Sequence, residues 1–293
     1  MPARLILNAD DFGLTPGVNR AIGELAAAGA ITSATLMAAG PAFEDAVAVA
    51  QAHSALGVGC HIVLTDGVPV SPPESIPSLL GADGISFRPS LRDFLLALFF
   101  GRIREEEVAL EAVAQIEKLQ RAGIAVTHLD THKHTHLFPA IARPLLQAAE
   151  RCGVRAIRNP FEPQWSLALH QGDWQRRSAI RLMARLRPRF ERLTQIHSGR
   201  ILTTDGTVAI SATGQLSAPK LAQILDRLPA TGTCELCCHP GYNDSDLDHI
   251  KTRLRAHREI ERGALLALIP QLAGRDDAPT LIGYGELGAS GSI

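Results

Sequence analysis

The stretch Leu5-Ile6-Leu7-Asn8-Ala9-Asp10-Asp11-Phe12-Gly13 carries a short apolar run directly into two adjacent carboxylates and a glycine. The apolar run predicts a buried strand, and apolar residues at helical spacing in 16–28 predict a helix that ends at Gly29. Side chains at the carboxyl ends of parallel strands face the ligand crevice of α/β folds, so Asp10 and Asp11 are candidates for chemistry. Two aspartates before a glycine also form an ordinary turn or helix cap, so the pair alone leaves both interpretations open.

Strand-like and helical segments alternate along the rest of the chain. The predicted strands cover residues 5–7, 33–39, 56–65, 126–132, 155–159, 200–205, 233–239 and 279–284. The predicted helices cover 16–28, 41–53, 91–100, 104–122, 139–152, 217–228 and 246–272, and 164–194 is expected to be irregular and then helical. About eight strands alternating with helices predict a parallel sheet and fit a barrel better than an open sheet. We therefore predict a single-domain α/β fold over residues 1–293, a TIM-like (β/α) barrel.

Two segments stand apart from this alternation. A proline-rich connection over 66–89 and a very apolar helix over 91–100 form an insertion at about 66–103. A connection of this length is typical of a functional lid or a disordered loop. The second segment, at about 174–194, is a basic helical segment.

Composition narrows the classes of partner and the compartment. The 29 Lys and Arg nearly balance the 30 Asp and Glu, so no nucleic acid or polyanionic partner is indicated. The sequence shows no signal-like start and no apolar run near the roughly 20 residues of a membrane span, so we expect a cytoplasmic protein. The five cysteines lack a scaffold-like spacing and are expected to be reduced. Cys234 and Cys237 lie three apart in a predicted strand and point to opposite faces, which argues against a metal or redox pair.

The histidines are the candidate partners of the two aspartates. Those at predicted strand ends are His61, His128, His132, His134, His136 and His239. In an extended strand, the even-numbered side chains of 128–136 would share one face and supply more donors than one metal needs, so some must have another role.

A catalytic zinc-type site uses three protein ligands, commonly histidine with a carboxylate, and leaves one position for water. Asp10 or Asp11, His61 and one histidine of 132–136 supply such a set from three strand ends. The remaining aspartate can accept a proton as general base. Spacing alone leaves open which aspartate has which role.

Four motifs in this order resemble the YdjC/ChbG family: Asn-Ala-Asp-Asp-Phe-Gly at 8–13, Gly-Cys-His-Ile-Val-Leu-Thr at 59–65, His-Leu-Asp-Thr-His-Lys-His-Thr-His at 128–136 and Cys-His-Pro-Gly-Tyr at 238–242. The similarity runs from the first strand to the terminal Leu-Ile-Gly-Tyr-Gly-Glu-Leu, nearly the full chain. Proteins of that family are metal-dependent carbohydrate deacetylases on a distorted (β/α) barrel. The resemblance implies the same fold and activity here.

The resemblance also implies roles for the site residues. It implies that one divalent metal is bound by Asp11, His61 and His132. It implies Asp10 as the general base that accepts a proton from metal-bound water, and His239 as the group that stabilises or protonates the departing amine. Zinc is the metal we expect first, and Mg, Ni, Co and Fe remain open.

Five further residues are expected around this centre. The resemblance makes His134 and His136 pocket-lining residues, and Asp130 is expected to orient a histidine. Arg155 and Arg158 flank a predicted strand end, where they hold sugar hydroxyls or are simply solvated.

Two stretches bear on the substrate. Phe94–Phe100 is apolar almost all round, and Arg176–Arg192 is a basic amphipathic segment with one acid, Glu191. A helix that is apolar all round is buried or faces a membrane. A basic amphipathic helix is typical of an interfacial anchor, although solvated arginines on a surface helix would give the same pattern. The chain also resembles the hopanoid-biosynthesis-associated (HpnK-like) branch of the family, which implies an N-acetylglucosaminyl group on a polycyclic lipid as substrate.

We therefore expect a peripheral enzyme on the inner membrane face that deacetylates an N-acetylated glycolipid. Two alternatives stay open: a deacetylase of soluble chitooligosaccharides, and a barrel that binds sugar or metal without turnover. The sequence leaves the oligomeric state open, a homodimer included.

Overall fold

The computed structural model describes residues 3–169, 174–197 and 201–288, in which helices surround a curled parallel sheet. The strands are β1 (Arg4–Phe12), β2 (Ser33–Leu36), β3 (Gly57–Ile62), β4 (Leu129–Thr131), β5 (Gly206–Val208), β6 (Thr233–Cys238) and β7 (Thr280–Leu281). The α-helices are α1 (Pro16–Ala27), α2 (Phe43–Ala52), α3 (Leu91–Phe99), α4 (Glu105–Arg121), α5 (Pro139–Arg151), α6 (Gln164–Leu169), α7 (Trp174–Met183), α8 (Arg187–Ile196), α9 (Ala218–Leu225) and α10 (Ala256–Leu268).

The sheet has the strand order β4-β3-β2-β1-β6-β5, and β7 pairs with the first residues of β1. The central strand β1 is buried from Leu5 to Phe12 because strands or helices cover it on every side. Two isolated parallel bridges, Leu129 with Ile157 and Ala156 with Leu202, continue the curl beyond β4. This architecture confirms the predicted single-domain α/β fold with a distorted barrel.

The predicted strands over 155–159 and 200–205 are reduced to these bridges, and β5 follows them in the chain. Side-chain hydrogen bonds supplement the few backbone ones here: Asn159 Nδ2 donates to the Thr204 carbonyl at 3.0 Å, and Thr207 Oγ1 donates to the Asn159 carbonyl at 2.7 Å. Position 200 lies outside the described residues.

The proline-rich connection before α3 packs against α4, which corrects the expectation of a disordered loop, whereas a role as a lid stays a prediction. Glu111 accepts hydrogen bonds from the backbone N–H groups of Val70 and Ser71 at 2.8 and 2.9 Å. Glu107 accepts one from Ser78 at 2.6 Å. Both glutamates are buried and lie four apart on one face of α4, so one helix fastens the connection at three backbone positions.

The basic segment forms two helices, α7 and α8, joined by a 3₁₀ turn over Ala184–Leu186. Its exposed arginines are Arg181, Arg185, Arg189 and Arg192. Within the described ranges, no helix is both long enough and apolar enough to cross a bilayer.

Candidate metal and catalytic site

The two adjacent carboxylates at the end of β1 reach the same group of side chains, although consecutive strand residues normally point to opposite faces. The pairing of β1 with β2 shifts register between Ala9 and Phe12, and Asp11 has a left-handed φ of 65°. Such an irregularity re-aims a side chain in the way a β-bulge does. Both Asp10 and Asp11 are therefore buried on the same side of the sheet end.

Asp11, His61 and His132 form one cluster of metal-ligand atoms. Asp11 Oδ1 lies 3.3 Å from His132 Nδ1 and 3.6 Å from His61 Nε2, and the two ring nitrogens lie 3.4 Å apart. The three residues come from the carboxyl ends of β1, β3 and β4, and β2 lies between β1 and β3 in the sheet. One carboxylate oxygen with two imidazole nitrogens is a donor set that fits zinc and related divalent metals.

His61 is oriented from behind its ring. His61 Nδ1 lies 2.7 Å from Asp130 Oδ1 and 3.2 Å from Thr35 Oγ1, which directs Nε2 toward Asp11. Burial alone would lower the pKa of His61. The negative charges of Asp130, Asp10 and Asp11 have the larger effect and raise this pKa to about 9. The surplus of negative charge around this ring favours a cation at the cluster.

Asp10 is held by a buried arginine. Arg158 donates to Asp10 Oδ1 at 2.6 Å and to Asp10 Oδ2 at 2.8 Å, and it also bonds Asp130 at 2.5 Å and Glu235 at 2.6 Å. Burial raises the pKa of Asp10, but Arg158 lowers it well below its usual value. Asp10 is thus an oriented, ionised carboxylate next to the ligand cluster.

The two arginines do not occupy the expected sugar-binding positions. Arg158 is fully buried and its guanidinium is engaged by three carboxylates, so it is closed to sugar hydroxyls. Arg155 is exposed, and its odd position in the extended segment 155–158 points it to the face opposite Arg158. The structure therefore brings Arg158 under the carboxylates and leaves Arg155 outside the site.

The chain leaves β4 after Thr131 and forms a 3₁₀ turn over His132–Leu137, which corrects the expected extended run. Lys133 and His134 adopt left-handed φ values of 59° and 52°, so the histidines do not share one face. His136 is fully buried, with Nδ1 2.7 Å from Thr131 Oγ1, and supports the turn from inside. His134 Nδ1 is buried and has no partner among the described residues, and this burial of the ring lowers its pKa to about 3.

His239 directly follows β6 and approaches Asp10 from the side opposite His61. Its Nε2 lies 3.9 Å from Asp10 Oδ2, and Cys237 Sγ lies 3.3 Å from the same oxygen. Its backbone N–H donates to Glu261 at 2.6 Å. Within the described residues, His239 Nδ1 is buried and has no hydrogen-bond partner, whereas Nε2 is the ring nitrogen that faces Asp10.

His128 has a supporting position away from the metal-ligand atoms. Its ring stacks on Tyr284 with centroids 3.8 Å apart, and its Nε2 lies 3.1 Å from Asn8 Oδ1. Gly59 leaves room for the ring, because a Cβ at that position would lie 2.5 Å from it. His128 therefore packs the floor of the site.

Sequence reasoning missed two buried residues of the site: Arg258, which binds Asp11, and Glu235, which binds Arg158. Arg258 Nη2 donates to Asp11 Oδ2 at 2.6 Å. Burial raises the pKa of Asp11, but Arg258 lowers it well below its usual value. An acid inside the apolar run 233–238 was a visible signal for Glu235, whereas Arg258 lies in a helix with many charges and gives no such signal.

Comparison with known proteins agrees with these motifs. The sequence matches the family described as YdjC-like protein over residues 4–268. A carbohydrate deacetylase of Brevibacillus brevis is 34% identical over 241 residues, covering 82% of this chain and 82% of that one. A carbohydrate deacetylase of Homo sapiens is 34% identical over 250 residues, covering 82% of this chain and 75% of the human chain.

The fold also has a solved counterpart. A crystal structure of an Enterococcus faecalis V583 protein, provisionally described as a cellobiose-phosphate cleavage protein, has a TM-score of 0.77 at 24% identity. The match covers 98% of this chain and 99% of the other, and at this identity it bears on the fold alone. Because the family match spans most of the sequence and relatives exceed 30% identity, the chain belongs to the YdjC-like protein family.

Proposed function

We propose that this protein is a metal-dependent carbohydrate N-deacetylase, which hydrolyses the N-acetyl group of an N-acetylglucosamine unit to acetate and a free amine. One observation carries the proposal: Asp11, His61 and His132 bring a carboxylate oxygen and two ring nitrogens within 3.3 to 3.6 Å of each other. Asp10 stands beside them with separate partners. Relatives that are named carbohydrate deacetylases support the reaction class.

In this proposal Asp11, His61 and His132 would hold one divalent metal, and zinc is our first choice. When bound, the metal would polarise the acetyl carbonyl and lower the pKa of water. The chain itself supplies the orientation of the ligands. Asp130 fixes the His61 ring, and Arg258 fixes the Asp11 carboxylate.

Asp10 Oδ2 is the atom to which we assign the proton of the attacking water. Oδ2 accepts a hydrogen bond from Arg158 at 2.8 Å, lies 3.3 Å from Cys237 Sγ and is the oxygen that faces His239 Nε2, at 3.9 Å. Oδ1 accepts hydrogen bonds from Arg158 and Asn8 at 2.6 and 2.9 Å. Since Arg158 holds the pKa of Asp10 low, the protonated acid gives its proton up readily. In this proposal His239 protonates the amine as the C–N bond breaks.

Variants of the two aspartates test this division of roles. Asp10→Asn should keep the metal and lose turnover by about 10²- to 10⁴-fold, because the proton acceptor is gone. Asp11→Ala should lose the metal itself. Metal content and acetate release, measured on the same purified samples, separate the two effects. An Asp10→Asn protein with wild-type turnover, or an Asp11→Ala protein with a full complement of metal, would contradict the assignment.

A finer proposal is that the acetylated sugar is carried by a lipid, such as a hopanoid glycoside. The observation that favours it is an exposed apolar end of α3, where Phe99 and Phe100 are 68% and 70% exposed. The Phe99 ring packs against Phe138 at 5.7 Å, directly after the turn that carries His132 and His134. The apolar surface therefore adjoins the segment that forms one wall of the site.

The basic segment adjoins the same turn from another side. Phe190 of α8 packs against the His136 ring at 6.4 Å, and the neighbouring α7 begins at Trp174, which is 71% exposed. Arginines with exposed apolar side chains are typical of a helix that lies on an anionic bilayer. We include peripheral membrane association of α3, α7 and α8 in the proposal.

The lipid proposal is tested by comparing an N-acetylglucosaminyl lipid in anionic vesicles with soluble chitobiose. Replacing Phe99 and Phe100 by serine should slow acetate release from the glycolipid and leave chitobiose turnover unchanged. Ile260→Ser, at a 50% exposed position on α10, is the control for loss of exposed apolar surface. A wild-type preference for chitobiose with no vesicle binding would leave the soluble-substrate alternative.

A further inference from the structure

Helix α10 directs two buried charged side chains toward the site. Arg258 and Glu261 are each 1% exposed, and residues three apart lie on one face of a helix. Arg258 contacts Asp11, whereas Glu261 contacts the main chain of His239. One helix therefore holds a proposed metal ligand and the proposed proton donor through different residues.

The two oxygens of Asp11 have different partners, and one of these partners is Arg258. Oδ1 faces His61 and His132, while Oδ2 accepts the hydrogen bond from Arg258 at 2.6 Å. The guanidinium is also anchored at its other end, because its Nε donates to the Leu254 carbonyl at 3.0 Å. With Oδ2 occupied, Asp11 offers a single, directed oxygen to the ligand cluster.

The turn that follows β6 leaves room for the Arg258 side chain. A Cβ at Gly241 would lie 2.9 Å from Arg258 Cδ, so a side chain there would collide with the arginine stem. The Gly241 N–H also donates to the Arg258 carbonyl at 3.3 Å. The close approach of α10 to this turn therefore favours a glycine at position 241 of the His-Pro-Gly sequence.

Glu261 fixes the other end of that turn. Its Oε2 accepts from the His239 N–H at 2.6 Å, and its Oε1 accepts from the Gly214 N–H at 3.1 Å. Both carboxylate oxygens are therefore used by backbone donors. A buried carboxylate bound in this way locks the position of the residue that carries the imidazole.

We propose that Arg258 and Glu261 are positioning residues with separate tasks: Arg258 sets the oxygen that Asp11 presents to the metal, and Glu261 sets the distance between the His239 ring and Asp10. The second task rests on the proposed deacetylase function, whereas the first concerns metal binding alone. The two residues should therefore affect different measurements.

The experiment measures zinc affinity by chelator competition and steady-state acetate release at saturating zinc. Arg258→Met should weaken zinc binding by about 10- to 100-fold, the range found for residues that orient metal ligands. Arg258→Lys should recover part of that loss, because it keeps the charge but not both contacts. The Arg258→Lys variant also tests the role of Arg258 in zinc binding if Arg258→Met does not fold.

Glu261→Gln should leave zinc affinity unchanged and lower kcat by up to about 100-fold without raising KM, as expected for a misplaced proton donor. Glutamine can accept only one of the two backbone hydrogen bonds, and its amide nitrogen would face the other N–H. The matched controls lie on the same helix: Arg262→Met removes an arginine that binds Glu24 at 2.7 Å, and Glu259→Gln alters an exposed acceptor of Asn243. Both controls should behave as wild type.

The outcomes discriminate between the proposals. Wild-type zinc affinity in a folded Arg258→Met protein would overturn the role of Arg258. Parallel losses of zinc affinity in the Arg258 and Glu261 variants would show that α10 acts only as a structural support, which overturns the division of tasks. A wild-type protein that binds zinc but releases no acetate would refute the deacetylase proposal, and the zinc affinities would still decide the role of Arg258.

Discussion

Asp130 touches the site only through other residues, yet the structure predicts that Asp130→Asn weakens metal binding. Its Oδ1 lies 2.7 Å from His61 Nδ1, and its Oδ2 accepts from Arg158 at 2.5 Å and from Thr35 at 3.2 Å. Asparagine keeps the shape of the side chain but loses the charge. Its amide nitrogen would also face either the His61 ring N–H or the Arg158 guanidinium, and both of these are donors.

The expected loss follows from the hydrogen bond that orients His61. A hydrogen bond to a charged group contributes about 1.5–3 kcal/mol. Each 1.4 kcal/mol changes an equilibrium constant by about tenfold. The metal dissociation constant of Asp130→Asn should therefore rise by about 10- to 100-fold, which is the range for residues that orient metal ligands.

Chelator competition on the purified variant measures this constant, and Glu235→Gln is the matched control. Glu235 binds the same arginine as Asp130 and is equally buried, but it has no contact with His61. The control should lose stability toward urea without losing metal affinity. The reasoning is refuted if Asp130→Asn binds metal as tightly as wild type, or if Glu235→Gln loses as much affinity.

Three further predictions concern the metal, the insertion and the floor of the site. A metal that binds only the folded state, at a free concentration 100 times its dissociation constant, adds about 2.7 kcal/mol to the free energy of unfolding. Removal of the metal by a chelator should therefore lower Tm by about 5–10 °C, and an unchanged calorimetric Tm would contradict a bound metal. Glu111→Ala leaves the N–H groups of Val70 and Ser71 without their acceptor, each at a cost of about 1–3 kcal/mol, so proteolysis within 66–89 should accelerate while metal affinity stays constant. Gly59→Ala places a Cβ 2.5 Å from the His128 ring, and such overpacking should lower the urea unfolding free energy by about 1–3 kcal/mol; a wild-type midpoint would show that the ring can move aside.

The location of the site could be predicted from the sequence because it depends on short-range rules. Apolar runs mark the strands, and polar residues directly after those runs mark the carboxyl ends of the sheet. That reasoning brought Asp10 or Asp11, His61 and one histidine of 132–136 together, and the family resemblance narrowed this set to Asp11, His61 and His132, which form one cluster in the structure. The prediction of an extended chain after β4 was wrong. Lys133 and His134 adopt left-handed conformations there, and the spacing of residue types does not indicate such conformations.

The arginines that organise the site could not be predicted in this way because their partners are distant in the chain. Arg158 lies 148 residues from Asp10, and Arg258 lies 247 residues from Asp11. Arginine is mostly exposed, so a local pattern assigns it to the surface. A charge argument would have served better: carboxylates buried at strand ends require cations, and those must come from elsewhere in the chain.

The same arginines bear on the question that spacing left open, namely how two adjacent aspartates differ. Arg158 occupies both oxygens of Asp10, whereas Arg258 occupies one oxygen of Asp11 and leaves the other facing His61 and His132. Of the two aspartates, Asp11 is the one that presents an oxygen without an arginine partner to His61 and His132. The unequal pairing supports Asp11 as the metal ligand and Asp10 as the proton acceptor, and it ties that assignment to two contacts that can be removed one at a time.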